Sequence, residues 1–85
     1  MHNDTKTFQS QYYKLDQLKN RLLSVEKHLI ATDKTFEYAT VHIATSETRD
    51  LMEYISSTHD SLTVEQMKLA NSNWDYINQR YSNIN

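Results

Sequence analysis

The sequence contains no glycine, no proline and no cysteine in 85 residues. Without glycine and proline the chain lacks the strongest turn formers, so its loops must be few and built from serine, threonine, asparagine and aspartate. Without cysteine, disulfides and thiolate metal sites are excluded, and the packing of helices has to stabilise so short a chain. We therefore expect one all-α domain over residues 1–85.

Long apolar runs are lacking as well, and charges of the two signs nearly balance. No stretch approaches the roughly 18 apolar residues that a membrane span needs, and residues 1–4 lack the basic and apolar regions of a signal peptide. We therefore expect a soluble, cytoplasmic protein with no membrane contact. The formal net charge of −2 gives no general attraction for nucleic acid.

What the sequence does contain is a heptad repeat that begins in its first ten residues. Such a repeat is typical of a long helix whose apolar face packs against another helix, and helix association is therefore the main prediction. We define the heptad seam as the eight apolar residues that we expect to form this contact: Phe8, Leu15, Leu18, Leu22, Val25, Leu29, Phe36 and Ile43.

A second amphipathic helix is expected to follow a polar break at residues 56–61. Thr63 and Gln66 have the spacing of a capping box, in which each side chain bonds to the other residue's backbone amide. We expect this C-terminal helix to fold back onto the preceding one, with packing between them by Leu51, Ile55, Met67, Trp74, Ile77 and Tyr81.

Two arrangements of these helices are open, and the first is preferred. In a helical hairpin or coiled coil, one long helix covers about residues 5–57 and the returning helix about residues 63–83. In a three-helix bundle, Asp33 begins a new helix, because residues 31–35 favour helix poorly. A strand over residues 36–43 is the least favoured option, suggested by its β-preferring side chains.

Charges beside the heptad seam suggest how two chains would pair. In a parallel dimer the flanking positions would bring together Arg21 with Glu26, His28 with Asp33, and His42 with Glu47. One unfavourable pair, Lys14 with Lys19, stands against these three. An antiparallel dimer would instead oppose like charges. The pattern therefore favours a parallel homodimer, with a heteromeric helical partner as the alternative.

No motif indicates catalysis. The chain has no glycine-rich phosphate loop, no cysteine nucleophile and no histidine pair at helical metal-site spacing, so we expect no enzyme activity, cofactor or metal. The expected role is a protein–protein interaction protein, either an assembly subunit or a regulator or inhibitor, and its composition would suit a phage or mobile-element product. Candidate partner-facing residues are tyrosines and acids away from the seam: Tyr13, Tyr38, Tyr54, Glu37, Glu47, Asp50 and Glu53.

Nucleic-acid binding is the competing function. The N-terminal third is basic and includes neighbouring tyrosines, so a dimer could present a doubled cationic patch to phosphates. The basic residues are Lys6, Lys14, Lys19, Arg21 and Lys27. The net charge and the absence of a helix-turn-helix pattern make this the weaker hypothesis.

Overall fold

A computed structural model describes residues 4–84, and the side chains of residues 7–84 among them. Three helices follow one another: α1 (Asp4–Ala31), α2 (Thr35–Thr58) and α3 (Val64–Tyr81). No strand occurs within residues 4–84, and the segment 36–43 is helical because it lies within α2. The all-α fold class is confirmed, whereas the signal-peptide expectation rests mainly on residues 1–3, outside the described part.

The chain does not continue as one helix over residues 5–57, because it turns at residues 32–34 as in the three-helix alternative. The amide of Lys34 donates to the carbonyl of Leu29 at 2.9 Å, and that of Asp33 to the carbonyl of Ile30 at 3.1 Å. This is a Schellman motif, and the φ of 62° at Asp33 is left-handed and ends the helix. Asp33 thus closes α1 rather than beginning α2.

α1 and α2 lie antiparallel and form the larger packing contact of the fold, while α3 packs on both of them. Phe8, near the start of α1, stacks on His59 at the end of α2 with 5.6 Å between ring centroids. The buried core draws on all three helices and the α2–α3 loop: Leu15, Leu18, Leu22, Val25, Leu29, Val41, Ala44, Leu51, Met52, Ile55, Leu62, Ala70, Ile77 and Tyr81.

The start of α3 is formed as the sequence predicted. The amide of Gln66 donates to the Thr63 hydroxyl at 3.2 Å, and the amide of Thr63 donates to Oε1 of Gln66 at 2.8 Å. These two bonds complete the capping box. The preceding loop is held to α1 by Gln11, whose Oε1 accepts from the amide of Leu62 at 2.7 Å.

Candidate protein-interaction surface

The heptad seam is divided between the core and the surface. Its α1 members from Leu15 to Leu29 are buried against the rest of the same chain, and Phe8 is partly buried. Phe36 and Ile43, the two α2 members, are 89% and 60% exposed. The reason is the turn at residues 32–34, after which α2 buries a different face, the one that carries Val41.

The residues expected to pack the returning helix behave more uniformly. Leu51, Ile55, Ile77 and Tyr81 are all buried in the core. Met67 packs partly against that core, and Trp74 remains partly exposed. Both line a shallow groove of about 140 Å³ between α1 and α3, together with Lys14, Leu15, Gln17, Leu18, Ala70 and Asn71.

The exposed apolar residues of α2 belong to a continuous row. Spacings of four and three residues place its members on one side of the helix, away from Val41 and Ile55 in the core. We call this row the α2 stripe, and it consists of Phe36, Thr40, Ile43, Glu47, Asp50 and Tyr54.

A groove between α2 and α3 runs beside the α2 stripe. It encloses about 340 Å³ and is lined by Thr40, Ile43, Ala44, Glu47, Ser72, Asn73 and Tyr76. Nδ2 of Asn73 donates to Oε1 of Glu47 at 3.2 Å across the groove. On the α3 side, the Arg80 guanidinium lies 5.4 Å from the centroid of the Tyr76 ring. The groove therefore combines apolar walls with polar groups at a few defined points.

The charged residues of the α2 stripe are both acids, Glu47 and Asp50. Asp50 and Glu53 are exposed and Glu47 is half-buried. Among the residues with described side chains, none of these three carboxylates forms an ion pair. Glu37 differs, because it lies 3.8 Å from Nζ of Lys34 and accepts a hydrogen bond from the Tyr81 hydroxyl at 3.2 Å.

Tyr81 is the residue through which the end of α3 contacts α2. Burial, followed by the nearby Tyr76 and Glu37, raises the pKa of Tyr81 to about 12.

The backbone carbonyl of Tyr81 also accepts a hydrogen bond from Nη2 of Arg21 at 2.6 Å, and the same guanidinium donates to the carbonyl of Ile84. Arg21 therefore anchors the C-terminal end of α3 to α1.

The three candidate tyrosines do not form one cluster. Tyr13 is exposed on α1, where its hydroxyl accepts from Nε2 of Gln17 at 3.0 Å. Tyr38 is partly buried and stacks on His42 with a centroid distance of 5.5 Å. Tyr54 lies on the α2 stripe, sixteen residues or about 24 Å of helix from Tyr38. Only Tyr54 therefore shares a surface with Glu47 and Asp50.

Four of the six groups expected to form pairs between two chains, namely Arg21, Glu26, His42 and Glu47, have partners for their side chains within one chain. Glu26 is only 6% exposed, its Oε1 lies 3.2 Å from Nδ1 of His42, and its Oε2 accepts a hydrogen bond from the Thr45 hydroxyl. Arg21, expected opposite Glu26 of a second chain, is bound to the carbonyls at the end of α3. These contacts hold α1 to α2 and to α3.

The basic residues of α1 do not form one cationic face. Helical spacing places Lys14, Lys19 and Lys27 on three different sides of α1. Nζ of Lys19 lies 3.0 Å from the carboxylate of Asp16. The guanidinium of Arg21 donates to the backbone carbonyl of Tyr81 at the end of α3. The side chain of Lys6 lies outside the described residues. The geometry accordingly gives little support to a phosphate-binding surface.

Comparison with known proteins finds no relative: no family model, no curated protein and no solved structure matches the chain. Within the described side chains, histidines and carboxylates form no group of three or more that could hold a metal ion. No helix in the described part of the chain combines the length and apolar character needed to cross a membrane.

The sequence pointed to the acidic residues of the α2 stripe but placed Phe36 and Ile43 in a seam between helices. It missed Thr40 on α2 and Asn73 on the α3 side of the groove. A signal for the stripe was present, since residues 36, 40, 43, 47, 50 and 54 follow helical spacing. Sequence spacing alone could not tell which of two apolar faces α2 would bury.

Proposed function

We propose that this chain is a non-enzymatic interaction protein that binds a helical segment of another protein through the α2 stripe and the adjoining groove. It would act as an assembly subunit or as a regulator or inhibitor of that partner. The observation that carries the proposal is the exposure of Phe36 and Ile43, 89% and 60%, on one side of α2. A cytoplasmic location stays a prediction from the composition.

Exposed apolar side chains contribute no burial free energy until a partner covers them. Complete burial of a phenylalanine or isoleucine side chain is worth about 1.5–3 kcal/mol. The bundle already buries residues such as Leu22 and Ile55 completely, so the exposure of Phe36 and Ile43 does not reflect a chain without a core. Apolar anchors at helical spacing beside a groove are the usual elements of helix-in-groove recognition.

A heteromeric partner fits the structure better than the parallel homodimer suggested by the heptad pattern. A parallel coiled coil through the seam would need Leu15, Leu22 and Leu29 to face a second chain, and all three lie in the chain's own core. Recruiting them would require α1 and α2 to separate. We therefore propose a different protein as the partner.

A peptide selection can test this proposal while the partner is still unidentified. Peptide segments from the proteome of the encoding organism are displayed as a library, and those that bind the purified protein are enriched. The enriched segments are then tested for binding to the double variant Phe36→Asp, Ile43→Asp. We expect most enriched segments to be amphipathic helices that lose binding to the double variant. Circular dichroism checks that both proteins are equally helical.

The matched control is the double variant Asn20→Asp, Asn78→Asp, which adds two charges at exposed positions of α1 and α3 away from the stripe and outside the lining of its groove. Enriched segments should bind this control as they bind the unmodified protein. Enrichment that is insensitive to Phe36 and Ile43, or no enrichment at all, would contradict the proposal.

A further inference from the structure

We infer that the segment bound by the α2 stripe is a cationic amphipathic helix, with lysine or arginine placed against Glu47 and Asp50. This inference rests on the proposed function and specifies the chemistry of its partner. It follows from the position of two carboxylates on the same row as the apolar anchors Phe36 and Ile43.

Glu47 and Asp50 lie close enough to the apolar anchors along α2 to be covered by the same partner helix. Glu47 and Asp50 follow Ile43 by four and seven residues, which is about 6 and 10.5 Å along the helix axis. The whole stripe from Phe36 to Tyr54 extends about 27 Å. A partner helix of five turns that covers the apolar anchors and continues along the stripe therefore also covers both carboxylates.

Covering Glu47 and Asp50 costs free energy unless the partner supplies a cation. Within the described side chains, Glu47 and Asp50 have no ion-pair partner. Glu47 accepts a hydrogen bond at Oε1 from the side-chain amide of Asn73, which is neutral. Removing an unpaired carboxylate from water is strongly unfavourable. A partner without cations would lose at Glu47 and Asp50 much of what it gains at Phe36. Lysine or arginine there reverses that balance.

A second copy of this chain is a poor occupant for the same reason. In a parallel contact between two α2 stripes, Glu47 and Asp50 would meet their own copies. In an antiparallel contact centred on the stripe they would face Ile43 and Thr40 of the second copy. The stripe carries no lysine or arginine, so neither arrangement places a cation of the stripe against the acids. The Arg80 guanidinium beside the groove lies against the ring of Tyr76 of its own chain. Charge complementarity therefore selects a different, basic chain.

The α3 wall defines where the partner's apolar side chains would enter. Leu69, Asn73 and Tyr76 follow helical spacing on α3, and the latter two line the groove opposite Ile43 and Glu47. Leu69 is partly exposed. The partner helix thus needs two apolar residues one heptad apart to contact Phe36 and Ile43. Its cations should begin about one helical turn farther along, where they would meet Glu47.

Two synthetic probes test the charge requirement directly. One is an amphipathic peptide of about five helical turns with leucines at heptad spacing and arginines positioned to meet Glu47 and Asp50. The other is the same peptide with glutamates in place of the arginines. We expect the basic peptide to bind the full-length protein about tenfold or more tightly than the acidic one, as measured by fluorescence anisotropy, with the difference shrinking in high salt.

Asp50→Lys is the decisive variant, because Asp50 is exposed and its substitution leaves the core untouched. We expect it to weaken the basic peptide and strengthen the acidic one, and the double variant with Glu47→Lys to extend the reversal. Asp75→Lys is the matched control, since Asp75 is an exposed acid on α3 outside the groove lining and, like Asp50, forms no ion pair among the described side chains. It should change neither affinity more than about twofold, consistent with screening of remote surface charges.

The possible outcomes separate this inference from the proposed function. Equal affinity for both peptides, still abolished by Ile43→Asp, would overturn the cationic partner and leave the helix-binding surface intact. Binding of neither peptide would count against both proposals. If light scattering gave twice the chain mass of 10.1 kDa, and Ile43→Asp restored the single mass, a second copy would be the occupant and the inference would be wrong.

Discussion

At the level of single residues, the main polar contact between α1 and α2 is the buried carboxylate of Glu26. Both of its oxygens have partners on α2: the Thr45 hydroxyl at one and the His42 imidazole at the other. A buried carboxylate is tolerated only when such bonds replace its hydration. The contact therefore fixes the register of α1 on α2 as well as satisfying the charge.

Thr45→Val tests how much this arrangement contributes to stability. The change keeps the side-chain volume close to that of threonine but removes the donor to Glu26, so we expect the free energy of unfolding to fall by about 1–3 kcal/mol. Chemical denaturation monitored by circular dichroism measures it. Thr48→Val is the matched control, because Thr48 is equally buried on α2 but donates only to the carbonyl of Ala44. An equal loss in both variants would show that the bond to Glu26 contributes nothing specific.

The phenol of Tyr81 should make the free energy of unfolding fall at alkaline pH. Because its pKa is raised to about 12 in the folded chain, the native state retains the phenol proton more tightly than the unfolded state, whose tyrosine pKa is about 10. The resulting stability is fully present below pH 10 and is lost as the pH rises from 10 to 12. At pH 11 we expect a loss of about 1.4 kcal/mol relative to pH 9 from this group.

Urea unfolding of the wild type and of Tyr81→Phe at pH 9 and pH 11 measures this contribution. The phenylalanine variant lacks the titrating proton, so its stability should fall less between the two pH values. If the two proteins lose the same stability over that interval, the proton on Tyr81 is not responsible.

At the level of elements, the chain ends its first two helices without glycine. Asp33 after α1 and His59 after α2 have φ angles of 62° and 59°, the left-handed conformation that glycine adopts most readily. His59 is additionally held by its stacking on Phe8. Aspartate and histidine are among the residues that tolerate this region, at some cost in energy.

Asp33→Gly should therefore stabilise the protein. Relief of the left-handed strain outweighs the added freedom of the unfolded chain, and we expect the free energy of unfolding to rise by about 0.5 kcal/mol. The same substitution at Asp50, inside α2, should lower it by about 1 kcal/mol because glycine disfavours a helix interior. Opposite signs in the two denaturation curves support the assignment. A loss in both would mean that the Asp33 side chain stabilises the turn.

Some elements were predictable because their signals are local. The capping box at Thr63 and Gln66 predicted the start of α3 correctly. Both of its hydrogen bonds join residues only three apart in the sequence, so the signal does not depend on tertiary packing. The turn after α1 was ambiguous because aspartate is common both at the first position before a helix and in the left-handed position after one. Asp33 does the second, and only the packing of α1 against α2 resolves this.

At the level of the whole molecule, one heptad pattern serves two environments. Leu22 and Ile43 are three heptads apart in the same register, yet Leu22 is fully buried and Ile43 is 60% exposed. A repeat read along the sequence assumes one continuous helix, and a three-residue turn breaks that assumption. The part of the pattern after the turn is left on the surface, where we propose that it binds a partner.

Alanine substitutions at these two positions compare the two environments directly. Leu22→Ala should reduce the free energy of unfolding by about 2–5 kcal/mol, because it leaves a cavity in the core. Ile43→Ala should change it by less than about 0.5 kcal/mol, as expected for an exposed position. Denaturation of both variants beside the wild type measures these values. A large loss in Ile43→Ala would mean that Ile43 is buried in solution, either in a bundle packed differently or against a second chain, and concentration dependence of the unfolding midpoint would separate those two cases.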